Sequence, residues 1–178
     1  MSNIIIYRSK SGYTKRYMEM LSKFVDAKLV DQSHMGSIDI SRFERIIYAA
    51  GVYAGKISGL KKFVSKLNRE ALEKLAIVAV GASPTTEVTI EKLIKDNLIS
   101  ESIIKRGAFF YLQGGFDPDK LNFALRAMLG SVAKKLSKKQ KEAPDTMTQE
   151  DIDFLNFFQT ANDQTSEEQL APLIDYLS

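Results

Sequence analysis

The run Ile4-Ile5-Ile6-Tyr7, followed by Arg8-Ser9-Lys10-Ser11-Gly12-Tyr13-Thr14, sets the architecture of this chain. Consecutive apolar residues without polar alternation mark a strand covered on both faces, as in a parallel sheet. Polar residues and one glycine then break the run, and from about Thr14 the residues Tyr17, Met20, Leu21 and Phe24 recur at helical spacing. The form repeats in Arg45-Ile46-Ile47-Tyr48-Ala49-Ala50-Gly51, in Leu75-Ala76-Ile77-Val78-Ala79-Val80-Gly81, and in Ala108-Phe109-Phe110-Tyr111-Leu112 ahead of Gly114-Gly115. A shorter fifth run is Ala27-Lys28-Leu29-Val30-Asp31. Helical patterns lie between them: Leu60, Phe63, Val64 and Leu67, then Ile90, Leu93, Ile94 and Leu98. This alternation predicts an α/β fold, a doubly wound parallel sheet with helices on both faces. Ligands of such sheets sit beyond the carboxyl ends of the strands, so the residues directly after each strand are the candidate site.

At 178 residues, 44% hydrophobic and 26% charged, the chain suits one globular domain over residues 1–178. It has no cysteine, which excludes disulfides, thiolate metal sites, iron–sulfur clusters and cysteine nucleophiles. The one histidine, His34, lies in Gln32-Ser33-His34-Met35-Gly36 and reads as a solvated loop residue. A serine triad or a multi-histidine metal centre therefore has little material, and neither a metal site nor a catalytic side chain is assigned. No apolar run reaches the ~20 residues of a membrane span. The N-terminus lacks the basic flank and long apolar stretch of a secretory signal, so a cytoplasmic location is expected.

The net charge of +3 hides a division. Residues 1–119 carry +5, residues 120–141 carry seven basic side chains and no acidic one, and residues 142–178 carry nine acidic side chains and no basic one. A basic helix is expected at about 119–137. Leu121, Leu125, Met128, Leu129, Val132 and Leu136 form its buried stripe, with Phe123 opposite, near Lys134. Pro144 closes a linker. An acidic helical tail is expected over about 148–178, opened by Thr148 and Asp151 as a cap signal, and it either faces solvent or partly neutralises the basic surface.

The first loop places Ser9, Lys10, Ser11, Gly12, Tyr13 and Thr14 at a helix start. Unpaired amides, the positive dipole end and three hydroxyls suit a phosphate monoester. The loop is neither a Walker sequence nor a Gly-x-Gly-x-x-Gly turn. Ser9-x-Ser11-Gly12-x-Thr14 after a first buried strand resembles the phosphate loop of the flavodoxin family, and the order and spacing of elements resemble that family over nearly the whole chain. The resemblance implies a five-stranded parallel sheet in the order 2-1-3-4-5 and bound FMN. It implies that Gly51, Val52, Tyr53, Ala54 and Gly55 flank the isoalloxazine ring, with Tyr53 covering a face. It also implies that Ser83, Pro84, Thr85 and Thr86 meet its pyrimidine side. Read from the residues alone, Tyr53 is equally an ordinary loop aromatic, and the segment from Ser83 to Thr86 is equally a turn feeding the next helix.

Tyr111-Leu112-Gln113-Gly114-Gly115-Phe116-Asp117-Pro118-Asp119-Lys120-Leu121-Asn122-Phe123 and the basic helix beyond resemble the menaquinone-linked protoporphyrinogen oxidases of the family. That resemblance implies an oxidoreductase acting on a porphyrinogen or quinone, and a basic surface that meets substrate carboxylates or an anionic membrane at the cytoplasmic face. The alternatives are an electron carrier between redox partner proteins, and an interaction module with a degenerate site. No nucleic-acid partner is expected. A receiver domain needs acidic residues at the first strand's end and an Asp after the third, where Tyr7-Arg8 and Gly51-Val52 stand instead. The chain departs from acidic carrier flavodoxins in being basic and lacking Trp. Lys10, Lys15 and Lys56 near the site imply a flavin potential less negative than theirs.

Overall fold

The computed structural model describes residues 3–36, 38–120, 123–159 and 161–178. The chain forms two compact units. One comprises residues 1–114 and 164–178, the other residues 115–163.

The first unit is built on strands β1 (Asn3–Arg8), β2 (Ala27–Asp31), β3 (Arg45–Tyr53), β4 (Lys56–Ile57), β5 (Leu75–Gly81) and β6 (Phe109–Gln113). The five longer strands are parallel and stand in the order β2-β1-β3-β5-β6, while β4 pairs antiparallel with β3. Counted among the long strands, this is the expected order 2-1-3-4-5. Ile4, Ile5, Ile6, Ile46, Ile47 and Tyr48 are fully buried, which explains why the strands read as unbroken apolar runs.

Helices α1 (Tyr13–Leu21), α2 (Leu60–Val64), α3 (Arg69–Glu73), α4 (Glu87–Asp96) and α5 (Glu101–Lys105) connect these strands. Two expectations are corrected here. Leu67 does not extend α2: Asn68 opens a new helix, its side chain accepting the Ala71 amide at 2.9 Å. Leu98 does not lie on α4, which ends at Asp96, and Ser100 precedes the separate α5.

The second unit holds β7 (Gly115–Phe116), α6 (Phe123–Glu142), α7 (Gln149–Gln159) and β8 (Asn162–Asp163). β7 and β8 pair antiparallel. Phe158 stacks on Phe154 and meets Phe116, with ring centroids 6.0 Å apart in each pair. Thr148 and Asp151 form a reciprocal cap: the Asp151 amide donates to Thr148 Oγ1 and the Thr148 amide to the Asp151 carboxylate. Lys139 donates to the same carboxylate at 2.7 Å, and these two bonds hold the Asp151 carboxyl below its usual range. This is one point where the acidic segment neutralises the basic helix. The stripe expected on that helix is only partly buried. Ala133 is buried and Leu129 and Leu136 are half-buried, whereas Met128 and Val132 are 49% and 41% exposed. The burial face is rotated toward Ala133, and Gly130 of the same face lies against Phe158. Phe123 is exposed. Leu121 lies outside the described residues, as does the side chain of Leu125.

Residues 164–178 return to the first unit and end in α8 (Ala171–Leu177). Leu170, Leu173 and Leu177 are buried there. Gln169 receives the Gln113 amide at 2.8 Å and donates to the Gln113 carbonyl at 3.2 Å, engaging the end of β6 as a neighbouring strand would. This acidic segment is therefore part of the core rather than a solvated tail.

Candidate functional site

The carboxyl ends of β1, β3 and β5 stand side by side. Arg8 is abreast of Ala50, and Gly51 is abreast of Val80. β2 lies on one side of β1 and β3 on the other, so the switch in strand order falls between β1 and β3, the place where ligands of such sheets bind. The three sequence-derived loops are thereby neighbours.

The first loop enters α1 at Gly12, which has φ +94° and offers no side-chain cap. A Cβ there would meet nothing within 4 Å, but an L-residue would be strained in this left-handed conformation. The Gly12 amide donates to Ser9 Oγ at 3.1 Å. Lys10 and Gly12 are exposed, Ser9 and Ser11 half-buried, and Tyr13 and Thr14 buried. This is a helix start at a glycine, with hydroxyls beside it and a lysine outside, a set of groups that fits an anion such as a phosphate monoester.

Gly51, Val52 and Tyr53, expected in a loop, continue β3 into a hairpin with Lys56 and Ile57. Ala54 and Gly55 make the turn, with φ of 49° and 73°, the two left-handed residues of a tight hairpin. The Tyr53 ring folds back over Gly51, where a Cβ would come within 2.9 Å of it. Its hydroxyl is 3.4 Å from Ser11 Oγ, and Lys10 Nζ lies 4.9 Å from its centroid. Tyr53 thus joins the first and second loops, and a ligand approaching Gly51 meets this ring first.

In the third loop Ser83, Pro84, Thr85 and Thr86 are exposed. Thr86 caps α4, its Oγ1 accepting the Thr89 amide at 3.2 Å. The Ser83 carbonyl accepts from the Tyr111 hydroxyl at 2.7 Å. Burial pushes the Tyr111 phenol up to about 12. The Gly114 amide donates to the Gly81 carbonyl at 2.7 Å, extending the β5–β6 pairing to the site's edge.

Sequence reasoning missed Asn97. Its side chain accepts from the Ile57 amide at 2.8 Å and donates to the Gly55 carbonyl at 2.9 Å. It pins the hairpin from 40 residues away. A polar residue ending a helix is the only signal for it in the sequence, and that names no partner. Of the expected cations, Lys15 pairs with Glu19 at 3.6 Å and Lys56 donates to the Asp96 carbonyl, so Lys10 is the one directed at the loop residues.

Among the described residues no three metal-ligating side chains gather, and no helix is long and apolar enough to cross a membrane. The family model of the flavodoxin domain matches residues 4–143. No curated protein matches the chain. Among solved structures, the WrbA-like flavodoxin of Agrobacterium tumefaciens is similar over 70% of this chain and 88% of its own, at 15% identity and TM-score 0.46. The Trp repressor binding protein of Bacillus subtilis is similar over 74% and 97%, at 17% identity and TM-score 0.45. A flavodoxin from the Archaea is similar over 72% and 90%, at 15% identity and TM-score 0.39.

Proposed function

The chain belongs to the flavodoxin domain family, and on that footing we propose that it is an FMN-binding redox protein. One observation carries the reading: the start of α1 at left-handed Gly12, flanked by Ser9, Ser11 and Thr14, stands at the ends of β1 and β3 beside Tyr53. The first loop holds the phosphate through amides and hydroxyls, with Lys10 adding positive charge. Gly51, Val52, Tyr53, Ala54 and Gly55 of the β3–β4 hairpin would flank the ring, with Tyr53 covering a face, and Ser83, Pro84, Thr85 and Thr86 would meet its pyrimidine side. Thr86 acts there through its backbone, since its hydroxyl caps α4. When bound, FMN supplies the electron transfer, and the protein supplies position and electrostatics.

Within the family we assign the chain to the protoporphyrinogen oxidase branch, with a porphyrinogen or quinone as substrate. The basic α6 supports this: Lys134, Lys135 and Lys138 are exposed and suit substrate carboxylates or anionic headgroups at a cytoplasmic membrane face. No side chain is assigned to catalysis. A second reading is an electron carrier between proteins, although the net positive charge sets this chain apart from acidic carriers. It predicts acidic partners and rates that fall as salt rises.

The visible spectrum of the purified protein is the first test. Yellow protein that releases FMN on denaturation supports the reading. Colourless protein that gives no isotherm with added FMN overturns it and leaves an interaction module. Protoporphyrinogen turnover with a quinone acceptor then separates the oxidase from the carrier.

A further inference from the structure

A groove of about 1010 Å³ lies between α2 and α3 on one side and the α4–α5 connection on the other, wholly within the first unit. None of residues 9–14 or 83–86 lines it. Its walls are Ile57, Val64 and Leu72 facing Ile99 and Ile103, and it reaches Ile77 of β5. The helical cover is broken here into α2 and α3, five residues each. The volume is that of a large small-molecule site, for which about 300–1,000 Å³ is usual. The groove is also extended, running from the β3–β4 hairpin to α3.

Leu98 is an independent sign of an occupant. α4 closes with the Ile99 amide on the Ile94 carbonyl at 3.1 Å and the Leu98 amide on the Lys95 carbonyl at 3.3 Å. In this motif the residue after the cap is left-handed, a place that suits glycine. Here it is a leucine with φ 52°, 89% exposed, at the groove's edge. Folding gains nothing from it: the backbone is strained and the side chain is in water. An apolar ligand in the groove gives that side chain a partner.

The rim carries Lys56, Lys61 and Arg69 against Glu73 and Asp96. Arg69 pairs with Glu73 at 3.4 Å, and Lys56 donates to the Asp96 backbone. The balance is one positive charge at the mouth of an apolar channel. We infer that the groove binds a free long-chain aliphatic carboxylate, its tail between Val64 and Ile103, its methylenes under Leu98 and its head at Lys61. This site is separate from the flavin crevice and does not depend on it.

The test is titration of the full-length protein with cis-parinarate, a fluorescent fatty acid, followed by displacement with palmitate. Saturable binding of one molecule per chain is expected, with hexadecanol roughly five-fold weaker than palmitate for want of the charge. Lys61→Ala weakens palmitate roughly five-fold and leaves hexadecanol unchanged. Leu98→Gly weakens both roughly ten-fold while the melting temperature does not fall, a combination that a purely structural leucine does not give. Absence of saturable binding overturns the inference, as does binding that both variants leave unchanged. Sedimentation showing dimers that palmitate does not dissociate overturns it too, and assigns the groove to a second copy. The visible spectrum and FMN titration of the same samples report flavin independently: acid binding by colourless protein that gives no isotherm with FMN upholds this site while failing the FMN reading.

Discussion

Gly81 and Tyr111 are fitted to each other. A Cβ on residue 81 would sit 2.5 Å from the Tyr111 hydroxyl and 2.9 Å from its ring. Gly81→Ala is therefore expected to cost about 1–3 kcal/mol in urea unfolding, and less in a Tyr111→Phe background, where the nearer clash is gone. Burial pushes both the Tyr48 and Tyr111 phenols up to about 12. The folded state thus prefers the protonated forms. Their contribution is complete below the unfolded phenol pKa of about 10 and is lost as pH rises from there toward 12. Alkaline unfolding of Tyr111→Phe is expected to be flatter over that interval, and an unchanged profile would remove Tyr111 from the account. Lys10, whose Nζ lies 4.9 Å from the Tyr53 ring centroid, acts on the flavin in the proposed function. Lys10→Glu is expected to lower the two-electron potential by roughly 20 mV, equivalent to about 1 kcal/mol of lost attraction for reduced flavin, as read by spectroelectrochemistry. The hydroxyls and glycine around Lys10 were legible in the sequence because a helix start draws its caps from adjacent residues. The grip of Tyr111 on Ser83 was not, because it joins side chain and loop across 28 residues.

The β3–β4 hairpin shows why one element escaped the sequence reading. Asn-Gly at its turn would have announced two left-handed residues, but Ala54-Gly55 announces only one. From the sequence alone, Gly51, Val52 and Tyr53 therefore look like loop. What holds so short a ribbon is Asn97, whose amide occupies the Gly55 carbonyl and the Ile57 amide together. Asn97→Ala leaves both backbone groups to find water and is expected to cost about 1–3 kcal/mol. The diagnostic readout is hydrogen exchange: the Ile57 amide should lose protection while the amides of β1 keep theirs. Uniform loss across the sheet would mean that Asn97 supports the whole core rather than the hairpin. The basic helix was legible as a helix from its periodicity. Its buried face was not, because Phe158 of the partner helix α7 packs at Gly130, and periodicity within α6 cannot see that contact.

At the scale of the molecule, the parallel sheet of the first unit was legible because strands buried on both faces need no polar alternation, and such runs alternate with helices. The chain's return was hidden. Leu170, Leu173 and Leu177 keep helical spacing, but they sit in a segment without a single basic residue, whose composition reads as solvated. The core overrides that impression, since burying one leucine contributes about 1.5–3 kcal/mol, more than scattered surface charges contribute. A direct contest between the two views uses two changes in one helix. Leu173→Ala, at a fully buried position, is expected to cost about 2–5 kcal/mol, a large share of the ~5–15 kcal/mol that holds an ordinary domain together. Asp175→Lys, at an exposed one, is expected to change stability by less than about 0.5 kcal/mol. Were the segment only an acidic screen for the basic surface, the order would reverse: the leucine would be silent in denaturant titration, and the charge reversal would appear as a shift in salt dependence.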